Sequence, residues 1–140
     1  MSLSDIVSDS PNSTGPNSLD DARQFLQSAG IDGWLTRDYR YTNPVFEAAL
    51  GRRVERLTRP VWLWIPANGE PQLLAHEVDI AHFPSDSPPV TAYGNRLQMI
   101  AGLKAGLHSA KTVAMEYSPL YELPRVGRVD AGTIDLIRSF

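Results

Sequence analysis

The feature that most constrains the fold is the stretch Val61-Trp62-Leu63-Trp64-Ile65-Pro66-Ala67-Asn68-Gly69-Glu70-Pro71-Gln72-Leu73-Leu74-Ala75-His76. Two short apolar runs flank Ala67-Asn68-Gly69-Glu70, and Asn-Gly accepts the positive φ angles of a type I′ turn, so a β-hairpin is expected. Its apolar core, residues 61 to 65, is far shorter than the ~20 residues a membrane helix needs. No segment of the sequence reads as spanning a bilayer.

The segments on either side of the hairpin read as alternating helix and strand. Ser18 is an N-cap residue with Asp21 three positions on, and Leu19, Ala22, Phe25, Leu26 and Ala29 follow at helical spacing before Gly30 as the stop. Asp20 and Asp21 then suit the positive end of the helix dipole. Residues 31 to 36 read as a buried strand ending in the polar, aromatic segment 37 to 43. Asn43-Pro44 caps a short helix through Leu50, closed by Gly51. Beyond the hairpin, residues 85 to 89 form a loop and 90 to 93 a strand. Residues 95 to 107 form a helix with Leu97, Ile100, Ala101, Leu103 and Leu107 on one side and Gly106 as its stop. Residues 112 to 116 read as a further strand, and Asp130 caps a last helix through Ala131, Ile134, Ile137 and Phe140.

Residues 1 to 17 are mostly Ser, Asp, Asn, Pro and Gly, which bury too little apolar surface to offset the entropy of ordering. They are expected to be a flexible leader, in which the glycosylation-type triplet Asn12-Ser13-Thr14 carries no weight. Residues 18 to 140 are expected to form one α/β domain with a mixed sheet flanked by helices. The chain stops on apolar Phe140 where an alternating pattern calls for another strand, so the domain reads as truncated.

The composition narrows function mainly by exclusion. With 13 Lys+Arg against 16 Asp+Glu, a net charge of -3, there is no overall positive field for nucleic acid or an anionic membrane. Absence of cysteine removes disulfides, thiolate catalysis and thiolate metal sites. The N-terminus lacks a basic and apolar signal, so a cytoplasmic location is expected. His76-Glu77 opens like a zinc-protease helix, but position 80 is Ile and the next histidine is His82. On a strand those rings would lie roughly 20 Å apart, and on a helix they would leave from different faces. Glu77 and Asp79 are expected at solvated edge positions, and His108 in a polar turn after a helix. Neither a nucleophile elbow nor a glycine-rich phosphate loop occurs. One segment is skewed in charge: residues 37 to 59 hold Arg37, Arg40, Arg52, Arg53, Arg56 and Arg59 against Asp38, Glu47 and Glu55, with Tyr39 and Tyr41 nearby. Such a patch suits an anion, a carboxylate-bearing ligand or a nucleic-acid backbone, or else a solvated loop face paired with acidic surface elsewhere.

Read in order, the helix, the strand Ile-Asp-Gly-Trp-Leu-Thr, aromatic-Thr-Asn and the hairpin resemble the N-terminal domain of the creatinase/prolidase/aminopeptidase P family of pita-bread metallopeptidases. Val113-Ala-Met-Glu116-Tyr-Ser-Pro looks like that domain's strand ending in Glu, and residues 126 to 140 look like its following helix. The resemblance covers residues 18 to 140. It implies a domain without catalytic residues or metal ligands of its own. Two divalent ions, for example manganese, are then expected in a following catalytic domain, where a bridging water attacks a bond beside proline.

The resemblance further implies a supporting role, with the domain's own catalytic domain and a neighbouring subunit as partners. Tyr39, Arg40, Arg56 and Arg59 fall where substrate access would be lined, and a guanidinium there would bind a substrate carboxylate through two hydrogen bonds. The alternative is a free-standing interaction or small-ligand-binding domain of the same fold.

Overall fold

The computed structural model describes residues 18–140, so the expected leader and the triplet Asn12-Ser13-Thr14 lie outside the described residues. The chain begins with helix α1 (Ser18–Ala29) and continues through strand β1 (Gly33–Asp38), helix α2 (Pro44–Leu50) and the paired strands β2 (Val61–Pro66) and β3 (Gln72–His76). A 3-10 turn (Ile80–His82) leads to β4 (Val90–Tyr93), α3 (Arg96–Leu107) and β5 (Val113–Ala114). Two further 3-10 turns (Pro119–Tyr121 and Pro124–Val126) precede α4 (Ala131–Arg138).

The five strands form one sheet in the order β4-β3-β2-β1-β5. β2 is antiparallel to both β1 and β3, whereas β1 pairs in parallel with β5 and β3 in parallel with β4. Thus β1, β3, β4 and β5 share one direction, and their carboxyl ends meet at one edge of the molecule. The sheet is mixed and flanked by helices, as the sequence predicts.

Side-chain alternation divides the core in two. Val61, Leu63 and Ile65 of β2, with Leu73 and Ala75 of β3, pack beneath Leu26 of α1 and Phe46 and Ala49 of α2. On the opposite face Leu35, Trp62 and Leu74 pack beneath Met99, Leu103 and Leu107 of α3 and Leu136 and Ile137 of α4. The central strand β2 is therefore buried on both sides, which explains its unbroken apolar run.

Several boundaries differ from the sequence reading, each for a local reason. Gly30, at φ 69, does end α1: its N–H donates to the Gln27 carbonyl and that of Ile31 to the Leu26 carbonyl. This Schellman cap consumes Ile31. The Asp32 carboxylate is taken up by the N–H groups of Lys111 and Thr112, so β1 starts at Gly33 and runs on to Asp38.

The β2–β3 connection is not a type I′ turn, because Gly69 (φ 137) has positive φ and Asn68 does not. Ala67 donates its N–H to the Asp32 carbonyl instead of closing the hairpin, and the loop spans residues 67–71. α3 passes through Gly106 and ends at Leu107, with Asn95 capping its start through the Gln98 N–H. That cap turns Met99, Leu103 and Leu107 inward and leaves Leu97 77% exposed, against the expected apolar face. β5 is only two residues long, since the Tyr117 N–H turns back onto the Met115 carbonyl. α4 stops at Arg138, short of Phe140.

Gly33 shows how tightly the paired strands fit. A Cβ built there would collide with the Trp64 ring, which rests on the bare backbone of β1. Gly33→Ala must swing that ring aside. Such overpacking is expected to lower stability by about 1–3 kcal/mol, read as a reduced urea midpoint with unchanged slope. A midpoint equal to that of the parent chain would show that the ring moves freely.

Candidate functional site

The carboxyl ends of β1, β3, β4 and β5 deliver several loops to one edge, and three carboxylates organise them. Asp38, 2% exposed at the end of β1, accepts from the backbone N–H groups of Tyr41 and Asn43, both at 2.9 Å. These bonds hold Arg40 (φ 53) and Tyr41 (φ 61) in the left-handed region, where non-glycine residues are uncommon. The turn ends at Asn43, whose side chain caps α2 by accepting from the Val45 N–H.

The second carboxylate is Asp79, also 2% exposed, which overturns its expected place on a solvated edge. It reaches across to residues 51–60, accepting from the N–H groups of Thr58 and Arg59 at 3.0 Å each and from the Thr58 hydroxyl at 2.9 Å. Val54 and Leu57 anchor the same segment in the core. Tyr93 donates its hydroxyl to the Pro60 carbonyl at 2.5 Å. Burial, reinforced by the nearby Asp79 charge, pushes the Tyr93 phenol up to about 12.

Glu116 follows β5. It accepts from the Trp34 indole N–H at 3.0 Å, the Thr36 hydroxyl at 2.5 Å and the Asn43 amide at 2.9 Å. Its carbonyl accepts from the N–H groups of Arg128 and Val129, closing residues 117–127 into a compact loop. Near that closure Arg37 pairs with Asp130 at 2.9 Å and lies over the Trp62 ring. Burial opposes ionisation of Asp130, but the hydroxyl and N–H of Thr133 and the Arg37 guanidinium outweigh it and hold the carboxyl below its usual range.

The four residues singled out from sequence, Tyr39, Arg40, Arg56 and Arg59, all lie on this edge and are exposed. Tyr39 and Arg40 occupy the β1 turn, with the Arg40 guanidinium over the Tyr39 ring. Arg56 and Arg59 occupy the loop before β2. The two loops are tied by the Tyr41 hydroxyl, which accepts from the Leu57 N–H at 2.8 Å, and by Arg53 lying 4.3 Å from the Tyr41 ring centroid. Among the described residues, however, no bond or ion pair joins Arg56 or Arg59 to Tyr39 or Arg40.

The rest of the arginine segment is already engaged: Arg52 binds Asp86 through both guanidinium nitrogens, and Arg53 pairs with Glu55. What the edge presents is a stiff backbone carrying Arg40, Arg56 and Arg59 toward solvent. Such a rim suits an anionic group, bound by charge-assisted hydrogen bonds. Among the described residues there is no group of three or more His, Asp or Glu that could hold a metal ion. Sequence reasoning missed the roles of Asp38, Asp79 and Glu116, because their partners lie on other segments. The Tyr41-Thr42-Asn43 string before Pro44 was the only local sign of the organised turn.

No family model matches the sequence, and no curated protein matches it. Solved structures match the fold. One is the creatinase/prolidase N-terminal domain of an X-Pro dipeptidase from Streptococcus pyogenes, with a TM-score of 0.64 and 20% identity over 87% of this chain and 91% of that one. Another is a creatine-N superfamily domain of a dipeptidase from Streptococcus thermophilus, with a TM-score of 0.65 and 20% identity over 87% of this chain and 85% of that one. The prolidase from Pyrococcus horikoshii matches 87% of this chain with a TM-score of 0.61 and 17% identity, but only 29% of its own length is covered. The chain thus has the creatinase/prolidase N-terminal domain fold, and spans under a third of that prolidase. No helix among the described residues is long and apolar enough to cross a membrane.

Two measurements check this architecture. Glu116→Gln places an amide N–H₂ among three donors and is expected to cost about 1–3 kcal/mol in urea unfolding, the penalty for buried donors left without an acceptor. An unchanged midpoint would mean that water replaces the carboxylate. Tyr93 binds its proton more tightly folded than unfolded, so its contribution is complete below the ordinary tyrosine value and disappears as pH rises from there toward 12. Phenolate absorbance of the native chain should show one tyrosine lagging the others, and Tyr93→Phe should remove that lagging phase.

Proposed function

We propose that the chain is the non-catalytic N-terminal domain of a longer, metal-dependent hydrolase acting on Xaa-Pro dipeptides or peptides. The observation that carries this reading is the match over nearly the whole length of two solved domains described as parts of dipeptidases. In this reading the metal pair, manganese or another divalent ion, and the attacking water belong to a following domain. This domain contributes contacts to that catalytic domain and to a neighbouring subunit, in a cytoplasmic enzyme without nucleic-acid or membrane partners.

Its direct contribution to turnover is substrate access. Tyr39, Arg40, Arg56 and Arg59 form an exposed rim on backbone held by Asp38 and Asp79. A short peptide carries a terminal carboxylate, and a guanidinium on a stiff loop binds it with little ordering cost. The rim therefore selects short substrates with a free carboxyl end.

An immunoblot of source cells is expected to show a band far larger than a 140-residue chain; a band at that size would instead leave a free-standing binding domain. In the complete protein, Arg59→Ala is expected to raise KM for an Xaa-Pro dipeptide about tenfold with kcat little changed, as loss of uniform binding requires. Because the Arg59 side chain is exposed and only its backbone meets Asp79, the variant should fold normally. Unchanged KM would remove the arginine from substrate access.

A further inference from the structure

Between α3 and the face of the sheet it covers lies a cavity of about 190 Å³. Leu35, Trp62, Leu74, Leu103 and Leu107, all buried, wall it in, and the exposed Gln72 and Thr91 mark its opening to solvent. Two glycines of α3 account for the space. A Cβ on Gly102 would run into the Leu74 side chain, so the helix touches the sheet at that turn. Gly106 stands four residues on, on the same helical face, and a Cβ there would meet nothing within 4 Å. The helix thus closes on the sheet at one glycine and leaves room at the next.

The buried walls are apolar with one exception. Trp62 is 3% exposed, and its indole N–H is buried without an acceptor among the described residues. The indole of Trp34, by contrast, donates to Glu116. A buried donor left unmatched is costly, and its presence on a cavity wall marks where an acceptor belongs. Water is a poor candidate, because a buried water takes about three hydrogen bonds and the buried side chains here offer one donor. An apolar cavity of about 150 Å³ accepts a benzene-sized molecule, so this one has the volume for a slightly larger body. The occupant should also be neutral. A charged group would lose its hydration for a single hydrogen bond, and the Arg37 guanidinium that lies over the Trp62 ring is already paired with Asp130.

From this we infer that the cavity beneath α3 binds a small, neutral, largely apolar molecule of benzene to indole size that carries one hydrogen-bond acceptor. The acceptor takes the Trp62 indole N–H, and the apolar body fills the space under Gly106. Bound there, the molecule fastens α3 to β2 and β3 and stabilises the folded chain by mass action. The inference does not depend on the functional reading above.

Titration of the full chain with two probes of similar shape tests it, one with an acceptor, acetophenone, and one without, ethylbenzene. Acetophenone is expected to bind with a Kd of about 1 mM or tighter. It should move the Trp62 indole N–H resonance downfield in a saturable way while that of Trp34 stays in place. Ethylbenzene, which leaves the N–H unmatched, should bind about tenfold more weakly. Gly106→Leu fills the cavity from the helix and replaces a glycine by a better helix former, so it should abolish binding with a urea midpoint at or above that of the parent. No saturable shift at Trp62, or equal affinity for the two probes, would overturn the assignment in the parent chain alone. Binding that survives in folded Gly106→Leu would overturn it as well, because the probe would then sit elsewhere.

Discussion

The Glu116 carboxylate is the point on which the arrangement of this domain turns. Chain order reverses between β1 and β5: the strands β1 to β4 progress toward one edge, and α3 then carries the chain back across the sheet to the far side of β1. β1 and β5 share only two paired positions, too few to fix the edge strand by backbone bonds alone. Glu116 supplies what that ladder lacks, drawing Trp34 and Thr36 of β1 and the α2-capping Asn43 onto one side chain. Thr36 is almost completely buried and its hydroxyl would otherwise face the cost of an unsatisfied donor, whereas the buried Asn43 amide also donates to the Arg37 carbonyl. In parallel α/β sheets a crevice at such a reversal commonly receives a ligand. Here a side chain of the protein, that of Glu116, enters it.

Those loops combine fixed backbone with free side chains. Asp38 holds the β1 turn, and Asp79 holds the approach to β2 from a segment on the far side of the hairpin. Tyr93 adds a further tie at Pro60, and the Tyr41 hydroxyl joins one loop to the other.

The elements that could be read from sequence are those whose cause is local. α1 has its apolar spacing and a glycine at the cap; α2 has Asn43-Pro44 before it and Gly51 after it; β2 and β3 announce themselves by composition. The failures share a different cause. Gly106 reads as a stop, but Gly102, one turn earlier, rests against Leu74, so the glycines of α3 belong to a continuous helix lying close on the sheet. Asn68-Gly69 reads as a tight turn until Asp32 captures the Ala67 N–H from another strand. Asp79 looks like a surface acid because Thr58 and Arg59 stand about twenty residues away, and Glu116 because its partners are more than seventy residues distant. The excess of arginine in residues 37–59, where Arg40, Arg56 and Arg59 stand exposed, was legible as a charge pattern. The carboxylates that shape this segment were not.

The same division runs through the charges: the well-placed acids here serve as hydrogen-bond acceptors. Asp32 receives Lys111 and Thr112, Asp38 the β1 turn, Asp79 the β2 approach, Glu116 the chain reversal, and Asp130 both Thr133 and Arg37. The arginines are the complementary case: Arg40, Arg56 and Arg59 are exposed and have no described acidic partner, Arg59 turning one donor onto the Thr58 carbonyl and Arg40 lying over the Tyr39 ring. These acids thus hold the shape of the domain, while Arg40, Arg56 and Arg59 are exposed cations of its two loops.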